Sequence, residues 1–396
     1  MFIMKMRRRN LIAILLAVCM CIFFCACGSV QTVRLNSSDG VERVIQDDTP
    51  IFDDTEKPEA SKKAEVGAVT EEDKVERDNA VENKPTTDET VKSDSVSDAQ
   101  EDENNGGRAG AVDSDDNDGE LDKIYEFTLV TDEDGESYYK IALKESLHDE
   151  VTEIVVPDTY RGLHIAELDE YAFYSCDNLT SIVIPKGIRV IGDKAFYYCR
   201  KLADLRLTEG LQTIGRNAFR FCSSLTSVTL PDGLVSLGQE AFYYCKNLEE
   251  VVFPESLQTI EMRTFYHCEN LSRVYFAEGL TTIGQMAFYY CRNLTDVSFP
   301  ESLQAIGMAA FLHCDLFTQI ILPENVTTIA NVAFSLCKAL DSVTICGNNI
   351  TIGQGAFNGC SNLTKVTILG SIESMGESVF YNCPKLEKVL LPSFCK

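Results

Sequence analysis

The sequence has no tryptophan and only four histidines among its 396 residues. Positive charge is also scarce: 35 lysines and arginines face 61 aspartates and glutamates, a formal net charge of −26 at pH 7. So acidic a chain repels phosphate backbones, which disfavours nucleic acid as a partner. The short motifs of common chemistry are missing as well. There is no H-E-x-x-H, no G-x-S-x-G and no phosphate-binding glycine loop. No cofactor, no metal and no catalysis is expected. The apolar run Leu11 to Phe24 is only 14 residues long, short for a membrane span and of the length of a signal-peptide core.

What is present falls into three zones. Lys5, Arg7, Arg8 and Arg9 precede the apolar run, which ends at Phe24-Cys25-Ala26-Cys27-Gly28. This resembles the bacterial lipobox, in which a small residue precedes a cysteine that is lipidated and becomes the new N-terminus. The resemblance implies that 1–27 is a lipoprotein-type signal peptide, that Cys27 is the lipid acceptor, and that the rest lies at the outer face of a bacterial membrane. Phe24, where leucine is commonest, and the second cysteine at Cys25 depart from the usual pattern. Residues 28–120 form the second zone. From 31 to 120 there are 27 acids, 10 bases and a single aromatic, Phe52. Such a segment buries too little apolar surface to offset the entropy of ordering it, and is expected to be a disordered tether. Asp113 to Glu120 looks like a calcium loop, but no reading frame supplies both the carboxylate at position one and the glycine at position six. No flanking helix is expected there.

The third zone is periodic. Phenylalanine recurs every 23 residues from Phe173 to Phe380, ten times, and a cysteine follows three residues after each, from Cys176 to Cys383. Leucine stands three residues further on (Leu179 to Leu386, with Phe317 as the exception), then V-x-F/L, as in Val251 to Phe253. That alternation is a short strand, and the prolines at 185, 231, 254, 300, 323 and 392 end it. The L-x-x-I-G-x-x-A-F stretch that follows reads as a turn, glycine allowing a sharp bend and alanine close packing. Each such unit must stack on its neighbours to bury its edge. The fold class expected is an α/β leucine-rich repeat solenoid of about ten coils, with parallel strands on one face and turns and short helical pieces opposite.

The motif I-P-x-x-(L/V)-x-x-I-G-x-x-A-F-x-x-C-x-x-L resembles the BspA-type leucine-rich repeat proteins of bacterial surfaces, over about 165–396. That family's usual start fits 121–164, where Tyr125–Val130 and Tyr138–Leu143 flank the turn signal Asp134-Gly135. Residues 121–164 are therefore expected to be an N-terminal hairpin cap. No comparable cap follows Pro392, so the last coil is expected to be an open edge through which copies could self-associate. The resemblance implies adhesion, with a protein or glycan ligand outside the cell and the membrane reached through the lipid on Cys27. The rival expectation is a structural spacer or self-associating coat component.

One cysteine per coil gives a stacked column, expected to be buried reduced thiols rather than disulfides or a metal site. Two sets of residues are candidates for binding. On the outward strand positions the candidates are Arg206 and the most varied mid-solenoid patch, Glu250, Val252, Arg273, Tyr275 and Asp296. Two residues after the core phenylalanine, Tyr198, Phe221, Tyr244, His267, Tyr290 and His313 place a ring in six consecutive coils, a strip suited to sugar stacking or to padding the convex face.

Overall fold

The computed structural model describes residues 31–33, 115–295 and 297–392. The signal peptide, Cys27, most of the tether and Asp296 lie outside the described residues. The repeats form a parallel β-solenoid. Their Phe rings stack in one column, centroids 5.0 to 5.8 Å apart from Phe173 to Phe380. Nine of the ten are fully buried or nearly so, as are the cysteine and leucine columns beside them.

Nine of the ten coils carry the expected strand, for example Glu250–Val252, paired in parallel with Ser227–Thr229 and Arg273–Tyr275; in the coil after Arg273–Tyr275, 297–300 carry none. There is also a second ladder that the sequence pattern did not announce, of two-residue strands that lengthen at Ile350–Ile352 and Ile372–Met375. Thr282–Ile283 is one, paired in parallel with Thr259–Ile260 and Ala305–Ile306. Two residues are too short to show an alternation of period two. Opposite the first ladder the backbone runs in successive turns; among the described residues the repeats contain no helix.

The repeat glycine has a different role from the one expected. A Cβ on Gly284 would sit 2.7 Å from the Ile260 carbonyl oxygen, and one on Gly192 2.7 Å from the Asp169 carbonyl carbon. The backbone of the preceding coil passes where a side chain would begin, so close approach between coils, not bend angle, requires glycine there.

The start of the solenoid is built as expected, with two additions. Tyr125–Thr131 and Ser137–Leu143 form an antiparallel hairpin whose turn places Gly135 at φ 85°. Glu153–Val155 then pairs in parallel with Ser181–Val183, so the cap itself supplies an extra coil before the ten that carry phenylalanine. The acidic run expected to be disordered and without a helix becomes helical over Asp115–Ile124. Tertiary contacts explain why. Tyr160 and Arg161 both donate to the Asp122 carboxylate, Lys144 reaches the Asp122 carbonyl, and Leu121 packs on the core. At the other end the last strand, Lys388–Leu391, is not left open. The short strand Gln31–Val33 pairs with it antiparallel.

Candidate functional site

The strand face brings together four of its six candidates. Glu250 and Val252 lie directly across from Arg273 and Tyr275 in the parallel ladder. Arg273 Nε donates to Glu250 Oε2 at 2.6 Å, which raises the Arg273 pKa above the ordinary value. Tyr275 is 45% exposed and has no ring neighbour among the described residues, and Val252 is half-buried beside it. Arg206 stands in the same column two coils before Val252, bonded to Asp204 of its own strand at 3.0 and 3.3 Å. It is not part of the cluster. Two coils beyond Tyr275 the same column exposes Ile321.

The aromatic strip is arranged differently. Tyr198 stacks on Phe221 at 4.7 Å, Tyr244 on His267 at 4.7 Å and His267 on Tyr290 at 4.6 Å; His313 meets Tyr290 at 4.2 Å. Sugar stacking needs an open ring face, and these faces cover one another. All six residues sit in the left-handed region, φ 58 to 66°, which is uncommon for bulky side chains. The other four coils place Ser175, Leu336, Gly359 and Asn382 there, also at positive φ, so the repeat imposes this conformation whatever the side chain.

A neighbouring column was missed in the sequence, although F-Y-Y-C at 196–199, 242–245 and 288–291 signals it. Tyr243, Tyr266 and Tyr289 stack at 4.7 and 4.8 Å, and Tyr174 stacks on Tyr197 at 5.8 Å. In the gap between the two groups sits Arg220, its guanidinium carbon 4.0 Å from the Tyr243 centroid and 5.8 Å from that of Tyr197. The cation replaces a ring in the stack. Its charge is held by Glu240, which is only 5% exposed and also accepts from Arg263 at 3.2 Å.

The residue after each cysteine forms a third column, largely alternating in sign: Asp177, Arg200, Ser223, Lys246, Glu269, Arg292, Asp315, Lys338. Cations lie over the tyrosine of their own coil, Arg200 on Tyr198, Lys246 on Tyr244 and Arg292 on Tyr290. Acids stand beside the histidines instead, Glu269 3.5 Å from His267 Nδ1 and Asp315 3.8 Å from His313 Nδ1. Burial lowers the pKa of both imidazoles, outweighing the adjacent carboxylates, while Lys246, Arg292 and Lys338 act in the same direction as burial.

The folded state thus binds protons on these histidines less readily than the unfolded chain, whose histidines titrate near 6.5. Stability should fall as pH drops below about 6.5 and stop falling, for this contribution, once the lowered folded values are passed. A His267→Tyr/His313→Tyr variant keeps the stack but removes the titration. The difference in urea midpoint between wild type and variant should shift between pH 7.5 and pH 5.0. A constant difference would show that these groups are not linked to folding.

The repeat cysteines next to His267 and His313 offer no nucleophile. Cys268 and Cys314 are fully buried, and burial pushes both thiols well up. Among the described residues no group of three or more metal-ligating side chains is assembled.

Comparison with known proteins agrees with this architecture. The family described as BspA type leucine rich repeat region matches in six copies, over 166–295 and 281–396. No curated protein matches the chain. Among solved structures, a leucine-rich repeat protein of Bacteroides ovatus is 26% identical, with TM-score 0.49, covering 66% of this chain and 80% of that one. A leucine rich cell surface protein of Faecalibacterium prausnitzii is 18% identical, with TM-score 0.30, covering 66% and 92%. The pneumococcal vaccine antigen PcpA is 17% identical, with TM-score 0.34, covering 65% and 84%. The matched repeats span more than half of the sequence and coincide with the stacked coils, so the chain belongs to the BspA-type leucine-rich repeat family.

Proposed function

We propose that this protein is a bacterial surface protein that recognises a protein or glycan outside the cell through its strand face, by contact and without catalysis. One observation carries the reading: Tyr275 presents an exposed ring, uncovered by other rings, with Val252 beside it and the Glu250–Arg273 ion pair next to it. An amphipathic ring flanked by hydrogen-bonding charges is the composition of an interface anchor. The aromatic strip spends its ring faces on neighbouring coils and serves the scaffold.

In saturable binding to immobilised matrix proteins, mucins and polysaccharides, Arg273→Glu/Tyr275→Ala should weaken affinity at least about tenfold, with an unchanged melting temperature. Binding that survives the change would move the site off this face. Binding to none of these by the wild type would favour a spacer.

Lipid attachment at Cys27 would hold the molecule at the membrane surface. Cys27→Ser should then release the protein into the medium, and full retention in the membrane fraction would rule that attachment out. Self-association through the last coil is less well supported, because Gln31–Val33 occupies the outer side of Lys388–Leu391.

A further inference from the structure

The cysteine column is uniform except at its end. From Cys199 onward each thiol donates to the carbonyl of the phenylalanine one coil earlier, at 3.0 to 3.4 Å. Cys176 to Cys360 in this column are fully buried, whereas Cys383 is half-exposed, beside exposed Tyr381, Asn382 and Pro384. Among the described residues no further coil stacks on this one. The Cys360 and Cys383 side chains also interact with each other, which draws the Cys383 pKa below the ordinary value and pushes that of Cys360 up.

Backbone geometry permits a bond. Five residues beyond the thiols, Lys365 and Lys388 are direct partners in the parallel ladder. Neighbouring parallel strands lie about 4.8 Å apart, inside the Cα separation of roughly 4.4–6.8 Å that a disulfide spans. The other column thiols have the same repeat spacing but no access to solvent.

We propose that Cys360 and Cys383 form a redox modification site for low-molecular-weight disulfides, Cys383 being the thiol attacked from solvent and Cys360 the one that resolves the adduct. The Cys383 thiolate attacks one sulfur of R–S–S–R. A Cys383–S–R bond forms, the reagent's S–S bond breaks, and RS⁻ leaves and takes a proton from water. Cys360 attacks Cys383 Sγ and expels the second RS⁻, which takes the Cys360 proton as it leaves. The protein loses two electrons and the reagent gains them, yielding two RSH. The Cys360–Cys383 bridge ties the last coil to the one before it. This coil is less covered than those before it, so oxidation here staples a less protected part of the stack.

The test uses the full-length reduced protein and oxidised glutathione, with peptides mapped by mass spectrometry. Before oxidation, iodoacetamide should label native Cys383 at least about a hundredfold faster than Cys268, because Cys383 is half-exposed with a lowered pKa and Cys268 is fully buried. After oxidation, a Cys360–Cys383 linked peptide should appear with no lasting glutathione on either residue. In Cys360→Ser, glutathione should remain on Cys383; in Cys383→Ser, Cys360 should stay unmodified. Proteolysis within 361–396 should slow about tenfold in the bridged protein. The proposal is overturned by a persistent adduct on wild-type Cys383, by a bridge from Cys383 to Cys395, or by modification of Cys360 in the Cys383→Ser variant.

Discussion

Phe265→Ala should lower the unfolding free energy by about 3–5 kcal/mol, the range for deleting a buried phenyl ring. The ring is fully buried, stacked between Phe242 at 5.4 Å and Phe288 at 5.3 Å, with Phe253 edge-on at 5.7 Å. Its loss removes the contact to both neighbouring coils at once. In a stacked array, stability is close to a sum of coil terms and nearest-neighbour interfaces, so the effect depends on position. Phe380 in the last coil has a single stacked neighbour, Phe357 at 5.8 Å, and is only partly buried. Phe380→Ala should therefore cost less than about half as much. Urea denaturation gives the two values. Equal losses would mean that the coils do not share their stability through this column.

The second large effect is expected at Glu240. Its carboxylate is held between Arg220 and Arg263 with almost no solvent, and the Arg220 guanidinium is in turn packed on Tyr243. Removing one partner of a buried ion cluster leaves charge without compensation, at a cost of about 3–5 kcal/mol. Glu240→Ala should show that loss. The backbone is not the cause, because Ala309 occupies the equivalent position at φ 55° where Glu240 has φ 59°. Replacing the whole cluster should behave differently. Other coils use tyrosine where Arg220 stands and Met286 or Ala309 where Glu240 and Arg263 stand. The triple variant Arg220→Tyr/Glu240→Met/Arg263→Met therefore has apolar side chains that the repeat already accommodates. It should match or exceed wild-type stability, since charge desolvation is avoided. A triple variant as unstable as Glu240→Ala would mean that the ion cluster itself holds these coils together.

Much of the fold is legible in the sequence because a solenoid turns a one-dimensional period into stacked columns. Phe173, Phe196 and their equivalents fall at one phase every 23 residues and end in one ring stack. The strand Glu250–Val252 shows its in–out alternation, and Asp134-Gly135 marks the hairpin. The helix Asp115–Ile124 was not legible, because its acidic run gives little local reason to fold. It is held by Tyr160 and Arg161, some 40 residues away in sequence. The second ladder was hidden for another reason: two-residue strands such as Thr282–Ile283 carry no period of their own.

For the candidate site, the sequence placed the strand-face residues and the Tyr198–His313 rings in columns, but neither the Tyr243 column nor the state of each ring. Tyr244 and Tyr275 are the same residue type at regular positions. One is stacked on His267 and the other stands exposed without a ring partner. That difference depends on side-chain direction and on what fills the same phase one coil away. The Arg220–Glu240–Arg263 cluster likewise joins three successive coils at two different phases. By itself the sequence determined the period, the core columns and the strand face, since each follows from spacing along one chain. Only the tertiary structure decided which rings remain open to a ligand, which charges are buried and which thiol meets solvent. Those properties are set by what the neighbouring coils place above and below each residue.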